Sequence, residues 1–116
     1  SEADLRRVAR ARLDCENPSD LNKFGQECYD TPPRPRSPTR VPVPEGVSGK
    51  PDGVVAIVKV SQQGRTLVVR IRRHSNELAF DRAVEAFASQ LRWSPALRDG
   101  NPVDGWTQAA FVPDLP

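Results

Sequence analysis

Seven of the twelve prolines fall in one stretch, "TPPRPRSPTRVPVPEGVSGKP", residues 31–51. Proline has no N–H to donate and biases the residue before it away from helix, so this stretch must be extended or polyproline II-like. It holds four Arg and Lys and one Glu. Such a segment reads as a semi-rigid linker rather than an SH3-type ligand. It divides the chain into a short helical module (1–30), a Pro-rich linker (31–52) and a compact domain (53–116).

The first part carries no strand pattern. Ser1 with Asp4 forms a weak capping box, and Leu5, Val8 and Cys15 share a helical face. Ser19 suits an N-cap, after which Leu21, Phe24 and Cys28 repeat at i, i+3 and i+7. Cys15 and Cys28 are the only cysteines and His74 the only histidine. A structural zinc site needs four such ligands, so no metal is expected, and no Cys-x-x-Cys redox motif occurs. A Cys15–Cys28 disulfide suits an oxidising compartment and would staple two short helices, contributing about 3 kcal/mol by loop closure. Two buried free thiols in a reducing compartment are the other reading.

From Gly53 onward the pattern becomes that of an α+β fold. "VVAIVKV" and "TLVVRIR" are β-branched runs joined by a turn containing Gly64. In the second run, Leu67, Val69 and Ile71 alternate with Val68, Arg70 and Arg72, so the sheet is expected to be covered on one face and wet on the other. Phe80, Ala83, Val84, Phe87 and Leu91 recur at helical spacing, with Phe87 and Leu91 facing the sheet. Glu77, Asp81 and Glu85 form a charged stripe expected to be solvated, and Arg92 suits the helix C-terminus. Pro95 stops the helix, Asp99-Gly100 marks a turn, and "WTQAAFV" alternates as a last strand. The predicted order is strand-strand-helix-strand, one helix on one face of a small antiparallel sheet.

Little here suggests catalysis. His74 has no triad context and is read as a strand-end surface residue, and Asp81 with Glu85 as a solvated pair. Gly46 and Gly49 lack a strand-to-helix setting for phosphate. No cofactor is expected. The net charge is only +2, and the basic patch Lys59, Arg70, Arg72, Arg73 lacks interleaved aromatics, so nucleic-acid binding is the weakest of the function classes. No apolar run reaches the roughly 20 residues of a membrane span. With neither initiator methionine nor signal peptide, the chain reads as a piece of something longer.

Gly53-Val54-Val55, Gly64-Arg65, the helix Asp81 to Leu91, Trp93-Ser94-Pro95-Ala96 and Asp99-Gly100-Asn101-Pro102-Val103 occur in an order that resembles the C-terminal domain of the TonB family. Each motif alone is weak, and their joint order over about 60 residues is strong. The resemblance implies a non-enzymatic periplasmic domain of the Gram-negative cell envelope. Its expected partner is an envelope protein such as a TonB-dependent outer-membrane receptor, bound by β-strand addition, for energy transduction to transport. An envelope scaffold reusing the fold is the alternative. An upstream inner-membrane anchor and a homodimer are both left open. Two features depart from the family. The Tyr-Pro and short helix before the first strand are replaced by "RVPVPEGVSGKPDG", so contacts made through that region are not carried over. The two-cysteine module has no counterpart in the usual pattern.

The candidate partner-binding residues are Trp106, Thr107, Gln108, Ala109, Ala110 and Phe111, expected to form an edge strand with a small-residue centre. An unpaired edge offers a ladder of N–H and C=O groups to an extended segment. Trp93 is expected to close the helix end over the sheet.

Overall fold

Two β-branched runs set the frame. In the computed structural model, which describes residues 28–115, they are β3 (Val54–Val60) and β4 (Thr66–Arg73). They pair antiparallel, Val58 opposite Val69, with bulges that leave Leu67 and Arg72 as extra residues on β4. The turn between them is closed by Gly64 N–H donating to the Ser61 carbonyl at 2.9 Å. The Ser61 hydroxyl accepts from the Gln63 and Arg65 amides. Gly64 sits at φ 82°, a conformation that costs glycine little.

The helix α1 (Leu78–Gln90) follows, burying Phe80, Val84 and Ala88. Four-residue spacing stacks these side chains on one stripe. Leu91 turns extended and ends the helix, its N–H reaching the Ala88 carbonyl. Arg92 therefore lies past the helix, bridged to Arg65, and the last turn holds no base to meet the dipole. Next come β5 (Trp93–Ser94), β6 (Ala96–Arg98), β7 (Asn101–Val103) and β8 (Gly105–Asp114). Asp99 and Gly100 take φ 53° and 79°, the left-handed pair of a tight hairpin turn joining β6 to β7. The sequence marks that turn but not its short strands.

β8 pairs antiparallel with β3 from Gly105 to Phe111, so β3 is central. The helix face of the sheet holds Val54, Ala56, Val58 and Val60 of β3 and Phe111 of β8, packed with Phe80, Val84, Ala88, Leu91 and Trp93. Phe87 is half-buried and meets the Phe111 ring edge-on at 6.2 Å. Among the described residues the fold is thus α+β with one helix on one face of a small sheet, as the patterning predicts.

The linker expectation is corrected over residues 31–42. β1 (Arg34–Pro35) pairs with β5, and β2 (Arg40–Pro42) runs parallel to β8, with Val41 fully buried in the main core. Pro33 and Pro51 are also buried. Proline is tolerated because these are two- and three-residue strands at sheet margins, where few ladder donors are required. The helical module expected over residues 1–27 lies outside the described residues.

Asp81 is a second correction. It was grouped with a solvated stripe, yet it is 5% exposed. Its carboxylate accepts from the Ser75 hydroxyl at 2.6 Å and the Ser75 amide at 2.8 Å, and faces His74 Nδ1 at 3.0 Å. These bonds pin the β4–α1 junction to the first helical turn. Burial pushes the carboxyl pKa up, but the Ser75 bonds and then His74 outweigh it, so the net shift is downward. A carboxyl whose pKa is lower folded than unfolded stabilises the fold above its unfolded value, about pH 4. That contribution is lost as pH falls through the folded value. Asp81→Asn should therefore flatten the loss of unfolding free energy below about pH 4, measured by urea titration at successive pH values; an unchanged slope would show that Asp81 does not drive it.

Candidate functional site: the outer edge of the last strand

The alternation of β8 is as the sequence predicts. Phe111 and Ala109 join the helix-side core, whereas Trp106 packs with Ile57 and Val68 on the opposite face. Gln108 and Ala110 are exposed and Thr107 is half-buried. The two tryptophans thus serve opposite faces. Trp93 is 1% exposed, and its Nε1 donates to the Thr66 hydroxyl, which itself donates to the Ala88 carbonyl.

What matters for docking is where the backbone of β8 points. In an antiparallel ladder the residues opposite β3 alternate between bonding to it and pointing away. Trp106 N–H donates to the Tyr29 hydroxyl at 3.1 Å, so it points away from β3. At the far end the Ala110 carbonyl accepts from the Thr39 hydroxyl at 2.7 Å, and Val112 N–H donates to the Thr39 carbonyl at 3.0 Å. Trp106, Gln108, Ala110 and Val112 are therefore the outward-facing residues, and Thr107, Ala109 and Phe111 bond to β3.

The expected edge strand is consequently only partly an edge. From Val112 onward its outer side is taken by β2, in the order β2-β8-β3-β4. Tyr29 caps its start. Between those two contacts the chain leaves β8 to pair with β5 and to bridge Leu97 through Thr31. A window of about 13 Å remains, four residues at about 3.3 Å each. Among the described residues, nothing bonds to the Trp106 carbonyl, either backbone group of Gln108, or the Ala110 amide. The Gln108 side chain is less available than expected, because its amide oxygen accepts from Arg72 at 2.6 Å.

Sequence reasoning missed Tyr29 and Thr39, which define this window. Their partners lie 77 and 71 residues away. No local periodicity carries such a signal.

Elsewhere among the described residues, one polar cluster joins His74, Ser75 and Asp81. Ser75 and His74 both bond to Asp81 rather than to each other, so the histidine is not placed to take the serine proton. Trp106, which stands among the cations Lys59, Arg70 and Arg72, is buried and offers no stacking surface for a base. Among the described residues no helix is long and apolar enough to cross a membrane. Cys28 is buried, and the Cys15 of the expected Cys15–Cys28 disulfide lies outside the described residues.

A helix-backed sheet with a short strand edge to which no described residue bonds can accept an extended segment as a further strand. The chain belongs to the TonB C-terminal family: the family model described as Gram-negative bacterial TonB protein C-terminal matches residues 48–113. That match takes in β3, β4, α1 and nearly all of β8. A search of curated proteins finds no match. Domains of this family are non-enzymatic and work in the Gram-negative periplasmic region, in energy transduction or protein interaction with envelope proteins such as outer-membrane receptors.

Proposed function

We propose that this domain binds an extended segment of an outer-membrane receptor by adding it as a strand in the β8 window, coupling the receptor to energy supplied from the inner membrane. The observation that carries the reading is the set of backbone groups at Trp106, Gln108 and Ala110 to which no described residue bonds. Backbone pairing supplies affinity, and the flanking side chains supply selectivity. Tyr29 and Thr39 set the length of the docked strand to a few residues. β2 limits extension toward the C-terminus, a restriction that favours a short receptor segment. It also supports the second reading, an envelope scaffold with a different short partner.

Residue-resolved amide exchange tests the edge directly. Adding a peptide from the periplasmic end of a receptor should slow exchange at Gln108 and Ala110, whose amides point outward. Thr107, Ala109 and Phe111, already bonded to β3, should change little. Equal protection of all five, or none at Gln108 and Ala110, would remove β8 as the docking strand.

A further inference from the structure

Beside the β8 window the sheet face opposite α1 carries positive charge with no described carboxylate to meet it. Side chains two apart on a strand share a face, so Gln108 and Ala110 stand on the side of Trp106. On β4 the bulge opposite Val55 and Ala56 brings Arg72 and Arg73 side by side at the same end. Both are exposed, and with Val55 and Gln108 they line a hollow of about 370 Å³. Arg70, also exposed, stands next along, opposite Ile57. Among the described residues the ion pair is His74 with Asp81, and none involves these three arginines.

Arg72 reaches across β3 to β8, where its Nη1 donates to the Gln108 Oε1 at 2.6 Å. A guanidinium has no acceptor, so the amide must turn its oxygen to Arg72, which leaves the Nε2 donors for a ligand. The other N–H groups of Arg72 are donors only. This corner therefore offers hydrogen-bond donors and positive charge to the side chains of any strand laid beside β8.

We infer that the segment docked in the β8 window carries an acidic side chain opposite Gln108, its carboxylate accepting from Arg72 and from the Gln108 amide. The inference rests on strand addition at β8 and adds to it the chemistry of the partner. An added strand lies about 4.8 Å from β8, and a residue opposite Gln108 has its Cβ about 5 Å from that of Gln108. A carboxylate there closes a charge-assisted pair where two adjacent guanidiniums otherwise repel each other. A basic side chain would add a third positive charge, so the corner also selects against one. At the rim such a pair is exposed and screened by salt, which makes it a selectivity element more than a source of affinity. An anionic membrane surface would draw on the same charges. The Gln108 amide, oriented by Arg72 next to backbone groups that no described residue bonds, fits a single carboxylate on a strand better than a plane of headgroups.

Titration calorimetry on the whole chain tests this with two peptides: a receptor's periplasmic segment containing Asp or Glu, and the same segment with each replaced by Asn or Gln. The acidic segment should bind about three- to fivefold more tightly at low salt, the scale of an exposed ion pair, and the gap should shrink as salt is raised. In Arg72→Gln, shown folded by circular dichroism, the gap should close. Arg82→Gln, which removes the same charge from an exposed position on α1, should keep it. Equal binding of the two segments by the parent chain, or an undiminished gap in Arg72→Gln, would overturn the inference. Arg72-dependent binding to vesicles of anionic phospholipid, with no preference between the segments, would assign the corner to a membrane and overturn it too. Amide exchange keeps this failure distinct from that of docking. If both segments protect Gln108 and Ala110 with no preference for the acid, strand addition stands and the acidic partner falls; protection by neither removes both.

Discussion

Trp93→Ala is expected to destabilise the fold by about 3–5 kcal/mol, the range for emptying a fully buried aromatic site. The side chain is 1% exposed and lies in the main core with Leu91, Ala88 and Val60. Its loss leaves more than a cavity. The Nε1 donates to the Thr66 hydroxyl at 2.8 Å, and that hydroxyl donates to the Ala88 carbonyl at 2.7 Å. Trp93 thereby ties the end of α1 to the start of β4, and truncation removes the bond that holds the Thr66 hydroxyl against the last turn of the helix. Trp93→Phe should restore much of the packing without the hydrogen bond. It is expected to lose about 1–2 kcal/mol, one buried bond's worth plus a smaller void. Urea unfolding of both variants reads the difference: no loss in Trp93→Phe would show that the Thr66 bond contributes nothing, and equal losses in the two would show that the packing does not.

Gly64→Ala should be nearly as damaging, costing about 3 kcal/mol or more although it adds a single methyl. Two effects combine. At φ 82° an L-residue is strained, by about 1–3 kcal/mol. The new Cβ would also overlap the Trp93 carbonyl oxygen, and that carbonyl belongs to backbone held by the Trp93 N–H bond to the Gly64 carbonyl at 2.9 Å. A flexible side chain would yield, but this pair of backbones cannot separate without losing their bond. Gly100→Ala is the comparison: its φ is 79° but nothing lies within 4 Å of its Cβ position. The gap between the two losses measures the overlap alone. Equal losses would show that only the dihedral matters.

How far the chain could be read before its structure depends on the range of each interaction. α1 and β3 were legible because their side chains repeat with the period of their own backbone, as Phe80, Val84 and Ala88 do. The Asp99-Gly100 turn was legible because left-handed backbone favours few residues. Residues 31–42 were not legible. Proline density reports the local conformation correctly, extended and non-helical, but is silent on whether an extended segment lies free or against a sheet. Val41, which enters the core, stands as a single apolar residue between Arg40 and Pro42 and so repeats at no period. Asp81 failed similarly: its i+4 spacing from Glu77 and to Glu85 suggested a solvated stripe, and the Ser75 bonds that bury it depend on the turn preceding the helix.

For the candidate site, the last strand and the alternation of its side chains were legible. Its confinement was not. The start and end of the window are set by Tyr29 and Thr39, both in the part of the chain that reads as module and linker. The linear pattern therefore suggested an edge six residues long, where the fold leaves a shorter one.

The central claim is that β8 docks its partner through outward-facing backbone groups, and one pair of substitutions separates those groups from the inward ones. Ala110→Pro removes an amide that points away from β3, whereas Ala109→Pro removes one that bonds to it. Isothermal titration of a receptor's periplasmic segment into the Ala110→Pro domain, shown folded by its circular dichroism, is the direct measurement. The account predicts a loss of affinity of about tenfold or more, near 1.4 kcal/mol, with the fold intact, while Ala109→Pro loses the fold itself. A folded Ala110→Pro variant that binds the segment as tightly as the parent chain would contradict it.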